Sequence, residues 1–205
     1  MRNKHKRKKL LIGVTGGIGS GKSLACEYLK KLGCSVFFAD DIAREMYSTC
    51  DELQKKLVKE FGNRILDDRK LISFDKLRQI VFSSERNQIR VNRIVHPFVI
   101  SEILHRVRNS PSNIVVIEAA LIFESGFNRY LDFTILIHSS VKNRFERVMK
   151  RGKLTLSQIR SIIKLQMPEK DKMQKADVII DNDSTKRVLQ KQIECYYGFL
   201  RFIAD

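Results

Sequence analysis

Leu10–Ser23, LLIGVTGGIGSGKS, decides the fold. Its opening residues are almost all apolar or glycine, the pattern of a strand buried on both faces. Gly16-Gly17-Ile18-Gly19-Ser20-Gly21-Lys22-Ser23 then fits G-x-x-x-x-G-K-[ST], a phosphate-binding loop. Glycines let successive backbone N–H groups converge on one concavity that a Cβ would obstruct. Lys22 offers a cation to the β- and γ-phosphates, and the Ser23 hydroxyl can ligate Mg²⁺. A helix starting at this point aims its positive end at the same anion.

A glycine-rich turn joining a strand to a helix has a similar composition, so the flanks carry weight. The strand precedes the loop where it must. Leu24, Ala25, Tyr28, Leu29 and Leu32 follow at helical spacing, and Gly33 stands where the helix should stop. Loop, strand and helix agree on a nucleoside triphosphate site formed by Gly17, Ile18, Gly19, Ser20, Gly21, Lys22 and Ser23.

Outward from the loop, 205 residues suffice for one sizeable core with a small appended lobe. Composition is that of a globular chain, 43% hydrophobic and 30% charged. No apolar run approaches the ~20 residues that cross a bilayer. The leader MRNKHKRKK, residues 1–9, is basic, but a strand and a phosphate loop follow it rather than an apolar segment with a cleavage site. Secretion is therefore not expected, and the leader reads as a solvated tail. Cys26, Cys34, Cys50 and Cys195 show no C-x-x-C spacing, which argues against zinc or a disulfide framework and for a reducing cytoplasm. The net charge of +16 admits nucleic acid or polyanionic small molecules as ligands.

Short apolar strands are predicted at Leu10–Thr15, Ser35–Ala39, Ile114–Ala119, Phe133–His138 and Val178–Ile180, separated by helical stretches. That alternation predicts a three-layer α/β fold with a five-stranded parallel sheet covered on both faces. Ligands of such sheets sit beyond the carboxyl ends of the strands. Two segments look inserted. Residues 42–112 are mostly helical, with Ser73 capping one helix and His96-Pro97 starting another. Residues 140–175 should hold two helices, the latter opened by a Thr155/Gln158 capping box. A last helix, about Ser184–Ile203, should bury Val188, Leu189, Ile193, Tyr196, Tyr197 and Leu200.

Asp40 and Asp41 follow the second strand, where a carboxylate could take a proton from an attacking hydroxyl or hold Mg²⁺ through water. Helix N-capping is the other reading of that pair. Glu118 and Glu124 bracket the end of the third strand and suit either a magnesium-directing role or pairing with Lys and Arg. Arg144, Arg147 and Arg151 share one helical face, opposite Val141, Phe145 and Met149. Guanidinium groups there could grip phosphates, or the face could simply be solvated.

In order, these motifs resemble the dephospho-coenzyme A kinase family across nearly all of Leu10–Tyr197. The matching residues are TGGIGSGKS at Thr15–Ser23, ADDIAR at Ala39–Arg44, Phe61-Gly62, VNRIVHP at Val91–Pro97 and ALIFE at Ala120–Glu124. Arg147, Arg151, Gln166-Met167-Pro168, Lys172 and ADVIIDN at Ala176–Asn182 complete the set. The resemblance implies ATP-dependent phosphorylation of the ribose 3′-hydroxyl of dephospho-CoA, the final step of CoA synthesis. It implies a core (about 10–41, 113–139 and 176–205), a helical CoA-binding insertion (42–112) and a helical lid (140–175). Asp40 matches the catalytic aspartate, and Lys22 and Ser23 take the phosphate and magnesium roles. Arg44, His96 and Leu121 fall on the acceptor-binding side, Arg147 lies in the lid over the transferred charge, and Asn182 lies near the adenine end. ATP, Mg²⁺ and dephospho-CoA are the implied ligands, with no nucleic acid, no membrane and a monomeric cytoplasmic enzyme.

Some residues depart from the family's common pattern. Phe38 replaces an Asp, Leu24 a Thr, Ala120 a Pro, and Arg144 and Gly152 stand for a Gln and an Asp in the lid. Among rivals, a GTP-binding switch lacks its N-K-x-D motif here, and a nucleic-acid ATPase lacks an aromatic-interleaved basic groove. Another small-molecule kinase of the same fold is the nearest alternative.

Overall fold

A computed structural model describes residues 9–152 and 155–204. Most of the basic leader, residues 1–8, lies outside the described residues; Lys9 donates to the Ser110 carbonyl. Five parallel strands form one sheet: β1 (Leu10–Thr15), β2 (Ser35–Phe38), β3 (Ile114–Glu118), β4 (Phe133–His138) and β5 (Val178–Asp181), in the order β2-β3-β1-β4-β5. The strand that feeds the phosphate loop is thus the central one. Its register sets Gly13 beside Ile117 on one flank and Thr134 on the other. All five β3 positions are buried, so both faces of the sheet are covered at that strand, whereas the edge strands β2 and β5 are more open. α1 (Lys22–Lys31) and α9 (Lys186–Ala204) pack together on one face, while Ile122 and Leu131 approach Gly13 from the turn region after β3.

α1 buries Ala25, Cys26 and Leu29 and stops as its sequence foretold. Gly33 N–H donates to Lys30 O at 3.1 Å and Cys34 N–H to Leu29 O at 3.1 Å, the paired bonds that close a helix at a following glycine. β2 ends at Phe38, and α2 (Ala39–Thr49) begins with no intervening loop.

The chain divides into two compact units, one of Phe38–Arg108 and one of the remainder. The former comprises α2, α3 (Asp51–Phe61), α4 (Phe74–Ser83, capped by Ser73) and α5 (Glu85–Asn109). The expected helix start at His96-Pro97 is wrong: α5 begins at Glu85 and runs through Pro97. Val91, Val95, Val99, Ile103 and Val107 form one buried stripe, while Pro97 faces outward. Burying each such side chain contributes about 1.5–3 kcal/mol, which in sum exceeds the ~3 kcal/mol cost of an interior proline.

In the other unit, α6 (Val141–Lys150) and α7 (Leu156–Leu165) match the two helices expected of 140–175, and the capping box is present. A third helix, α8 (Glu169–Lys175), was not foreseen because its seven residues carry no apolar stripe and bury only Lys172. In α9, Leu189, Ile193 and Leu200 are buried, but Val188 is exposed and Tyr196 and Tyr197 are half-buried. One residue from Leu189 is a 100° turn, which carries Val188 off the stripe. Among the described residues no helix is long and apolar enough to cross a membrane.

Candidate active site

The loop between β1 and α1 is a tight backbone cradle. Ser20 N–H closes a turn onto Gly17 O at 3.1 Å. At Gly19 the backbone sits at φ +79°, and a Cβ would lie 2.5 Å from the Arg144 carbonyl oxygen, so only glycine fits. Gly21 caps α1, whose first turn carries no acidic residue and leaves the positive end of the helix for an anion. Lys22 Nζ stands 3.5 Å from Glu118 Oε1 at the end of β3, and both side chains are largely buried. Ser23 is exposed on the first helical turn.

Distant parts of the chain brace this loop. The buried Asn182 donates from Nδ2 to Ser20 O at 2.6 Å, and its own carbonyl accepts from Arg147 at 2.6 Å. Arg147 also donates to Ser139 Oγ at 3.2 Å and to Ser20 O at 3.5 Å. Gln166 Oε1 accepts from Ile18 N–H at 3.3 Å. Asp183 ties the start of α6 to the end of β5, accepting from Ser139 Oγ, Ser140 N–H and Asn143 Nδ2 at 2.7–2.8 Å. Desolvation pushes the Asp183 carboxyl up, but hydrogen bonds from Ser139, Asn143 and Ser140 outweigh it and hold the group well below the ordinary carboxylate value.

α6 is turned inside out relative to a common surface helix. Val141, Phe145 and Met149 are exposed, whereas only 12% of the Arg144 side chain is. Its guanidinium pairs with Glu169 Oε2 at 2.6 Å, and His138 Nδ1 meets Glu169 Oε1 at 2.8 Å. Arg151 follows α6 as its exposed C-cap and does not join them. Lys172, 1% exposed, donates to Ala120 O at 2.9 Å and pairs with Glu124 Oε1 at 3.0 Å. Burial lowers the Lys172 pKa; the Glu124 charge opposes that, and the charge of Lys22 adds to it. Glu124 also accepts from Met167 N–H at 2.7 Å, so ion pairing is the role the structure gives it. Leu121 sits in the turn after β3, its carbonyl accepting from Ser125 N–H at 2.9 Å.

Asp40, Arg44 and His96 belong to the unit Phe38–Arg108. Asp40 and Asp41 lie inside the first turn of α2, exposed, while Phe38 holds the N-cap position. Neither aspartate is therefore the cap. Burial first, and then the Asp40 charge, push the Tyr47 hydroxyl up to about 12. Arg44 pairs loosely with Asp41 at 3.8 Å and lies 4.7 Å over the Phe74 ring. His96 sits half-buried in mid-helix.

The anchoring residues Glu169, His138 and Asp183 were missed by sequence reading. Only the DND run at the end of the last strand hinted at Asp183, and nothing local marks the other two.

A parallel sheet with a phosphate loop leaving its central strand defines the phosphate-loop nucleotide-binding class. The chain belongs to the dephospho-CoA kinase family, whose family model matches residues 10–187. A dephospho-CoA kinase of Fusobacterium nucleatum is 34% identical over 185 residues, covering 90% of this chain and 95% of that protein. A protein of known crystal structure from Thermus thermophilus superposes with a TM-score of 0.78 at 26% identity, covering 94% of this chain and 98% of that one. The dephospho-CoA kinase from Campylobacter jejuni gives 0.65 at 26% identity, over 93% and 96% of the two chains.

Proposed function

We propose that this chain transfers the terminal phosphoryl group of ATP to the ribose 3′-hydroxyl of dephospho-CoA, giving CoA and ADP in the final step of CoA synthesis. The observation that carries the reading is the family match over residues 10–187, with Lys22 set at the foot of the glycine cradle. Phosphoryl transfer asks mainly for positioning and charge neutralisation. The loop N–H groups and Lys22 seat the triphosphate. Arg147, already braced on Ser20 and Asn182, lends its charge at that rim, and Asn182 serves the adenine end. Asp40, carried on the first turn of α2 directly beyond β2, takes or orients the hydroxyl proton. Arg44, His96 and Leu121 serve the acceptor.

Magnesium takes oxygen ligands and keeps several waters, and the exposed Ser23 hydroxyl suits it, with Asp40 contributing through water. Bound there, the ion would neutralise charge on the phosphates. The reading includes a monomeric cytoplasmic enzyme with small-molecule partners and no nucleic acid.

An ADP-release assay across dephospho-CoA, adenosine, nucleoside monophosphates and shikimate tests it, with activity expected on dephospho-CoA. Asp40→Asn should lower kcat by about 10²–10⁴-fold while ATP binding stays near wild type. An Asp40→Asn enzyme that kept most of its turnover would overturn the base assignment.

A further inference from the structure

Arg144 lies on α6, and the structure shows where its charge goes. NH1 lies 2.6 Å from Glu169 Oε2, with 12% and 18% of the two side chains exposed. The same NH1 is 1.9 Å from the point a Cβ on Gly17 would occupy, so the guanidinium rests directly on the first turn of the phosphate loop. A side chain at Gly17 would evict it. From behind, Glu169 is held by His138 at 2.8 Å, which fixes the carboxylate in place.

Two observations speak against a bridge that only ties α6 to α8. Arg144 Nε is buried without a hydrogen-bond partner and only NH1 faces Glu169, so part of the donor fork is not engaged by the carboxylate. Lys22, the established phosphate cation of such loops, shows the same arrangement: a cation of the cradle facing one carboxylate, Glu118, at 3.5 Å.

We propose that Arg144 is a second phosphate-binding cation of the loop, shared between Glu169 and the nucleotide's β- and γ-phosphates, with Glu169 as the competing anion that sets the affinity. This rests on the reading that ATP seats on Gly17–Ser23. A triphosphate outbids one carboxylate for a guanidinium because it offers more charge and more acceptor oxygens in the geometry that the fork matches. Glu169 then keeps Arg144 poised over Gly17.

Dissociation constants for ATP and AMP, with KM for ATP, separate the possibilities. Arg144→Gln should weaken ATP by about tenfold and AMP, which lacks the outer phosphates, by far less. Arg144→Lys, keeping the charge without the fork, should fall between. Glu169→Gln, which preserves the hydrogen bond to His138, should tighten ATP by about threefold, a fraction of one charge-assisted bond. In the Arg144→Gln background Glu169→Gln should have no such effect. If Arg144→Gln and Glu169→Gln instead weaken ATP together, and AMP equally, the pair is architectural and the proposal fails. Melting curves on each variant keep loss of fold from passing as loss of binding. A wild-type enzyme that bound no ATP would overturn the ATP reading itself, and the proposal with it.

Discussion

The phosphate loop and the α6–α8 segment touch at Gly17 and Gly19 and share polar braces, yet the balance of forces that holds each differs. The loop hangs from β1 and α1, whose Ile12, Val14, Ala25, Cys26 and Leu29 are fully buried, and its own turns close on backbone bonds. In α6–α8, Val148 and Ile159 are the buried apolar side chains among the described residues, while Val141, Phe145, Met149, Leu156 and Ile163 face solvent. Charges anchor that segment instead: Arg144 to Glu169, Lys172 to Glu124, Arg147 to carbonyls and Asp183 to the start of α6. Apolar burial has no alternative partner to offer, so it fixes the cradle. An ion pair can trade one anion for another, so a segment built from such pairs can exchange a carboxylate for a phosphate. Segments with few apolar contacts also open at lower free energy than the core.

The contrast can be broken most sharply at the loop. Gly19→Ala puts a methyl 2.5 Å from a backbone oxygen at φ +79°. It should cost about 1–3 kcal/mol of stability and abolish measurable ATP binding by calorimetry. Tight ATP binding by that variant would mean the cradle yields as readily as the segment beside it.

Lys172→Met tests the charged side, since it strips the half-buried Glu124 of its cation. Breaking such a pair costs about 3–5 kcal/mol when both partners are fully buried. Glu124 keeps the Met167 N–H and is partly exposed, so about 1–3 kcal/mol is expected in urea unfolding. Adding Glu124→Gln should recover part of the loss. Hydrogen exchange should then quicken in α8 and the turn at Ala120 before it quickens in β1.

The smallest effect is at Asp183, where pH sharpens the comparison. Its carboxyl is held below its unfolded value of about 3.9. Its contribution is therefore complete above that pH and is lost as pH falls toward the folded value. Between pH 5 and about pH 2, α6 amides of the wild type should lose protection more steeply than those of Asp183→Asn. Parallel curves for the two proteins would remove Asp183 as an anchor.

Much of this was legible in the chain. A buried strand, a glycine run and a helix with Gly33 at its end are local patterns, set by neighbours one to four residues away, and all appear as read. Pro97 misled because a local rule met a longer stripe: five buried side chains from Val91 to Val107 carry α5 through the proline. α8 was hidden for the reverse reason, having no apolar period to show. At the site, Gly17–Ser23 could be read directly, but the partners of Glu118, Glu124 and Arg144 could not.

The amino-acid order by itself determined the sheet, the phosphate cradle and the family, because strand alternation, helical period and glycine requirements are short-range properties of the backbone. Only the tertiary structure decided which acid each cation of the site meets. Pairs within one helix, such as Arg44 with Asp41, follow from spacing along the chain, but Lys22 with Glu118, Arg144 with Glu169 and Lys172 with Glu124 are chosen by proximity across separations that no local pattern encodes. Arg144 resting on Gly17 while paired to Glu169 is the plainest case: three residues far apart in the chain, one on the loop after β1, one on α6 and one on α8.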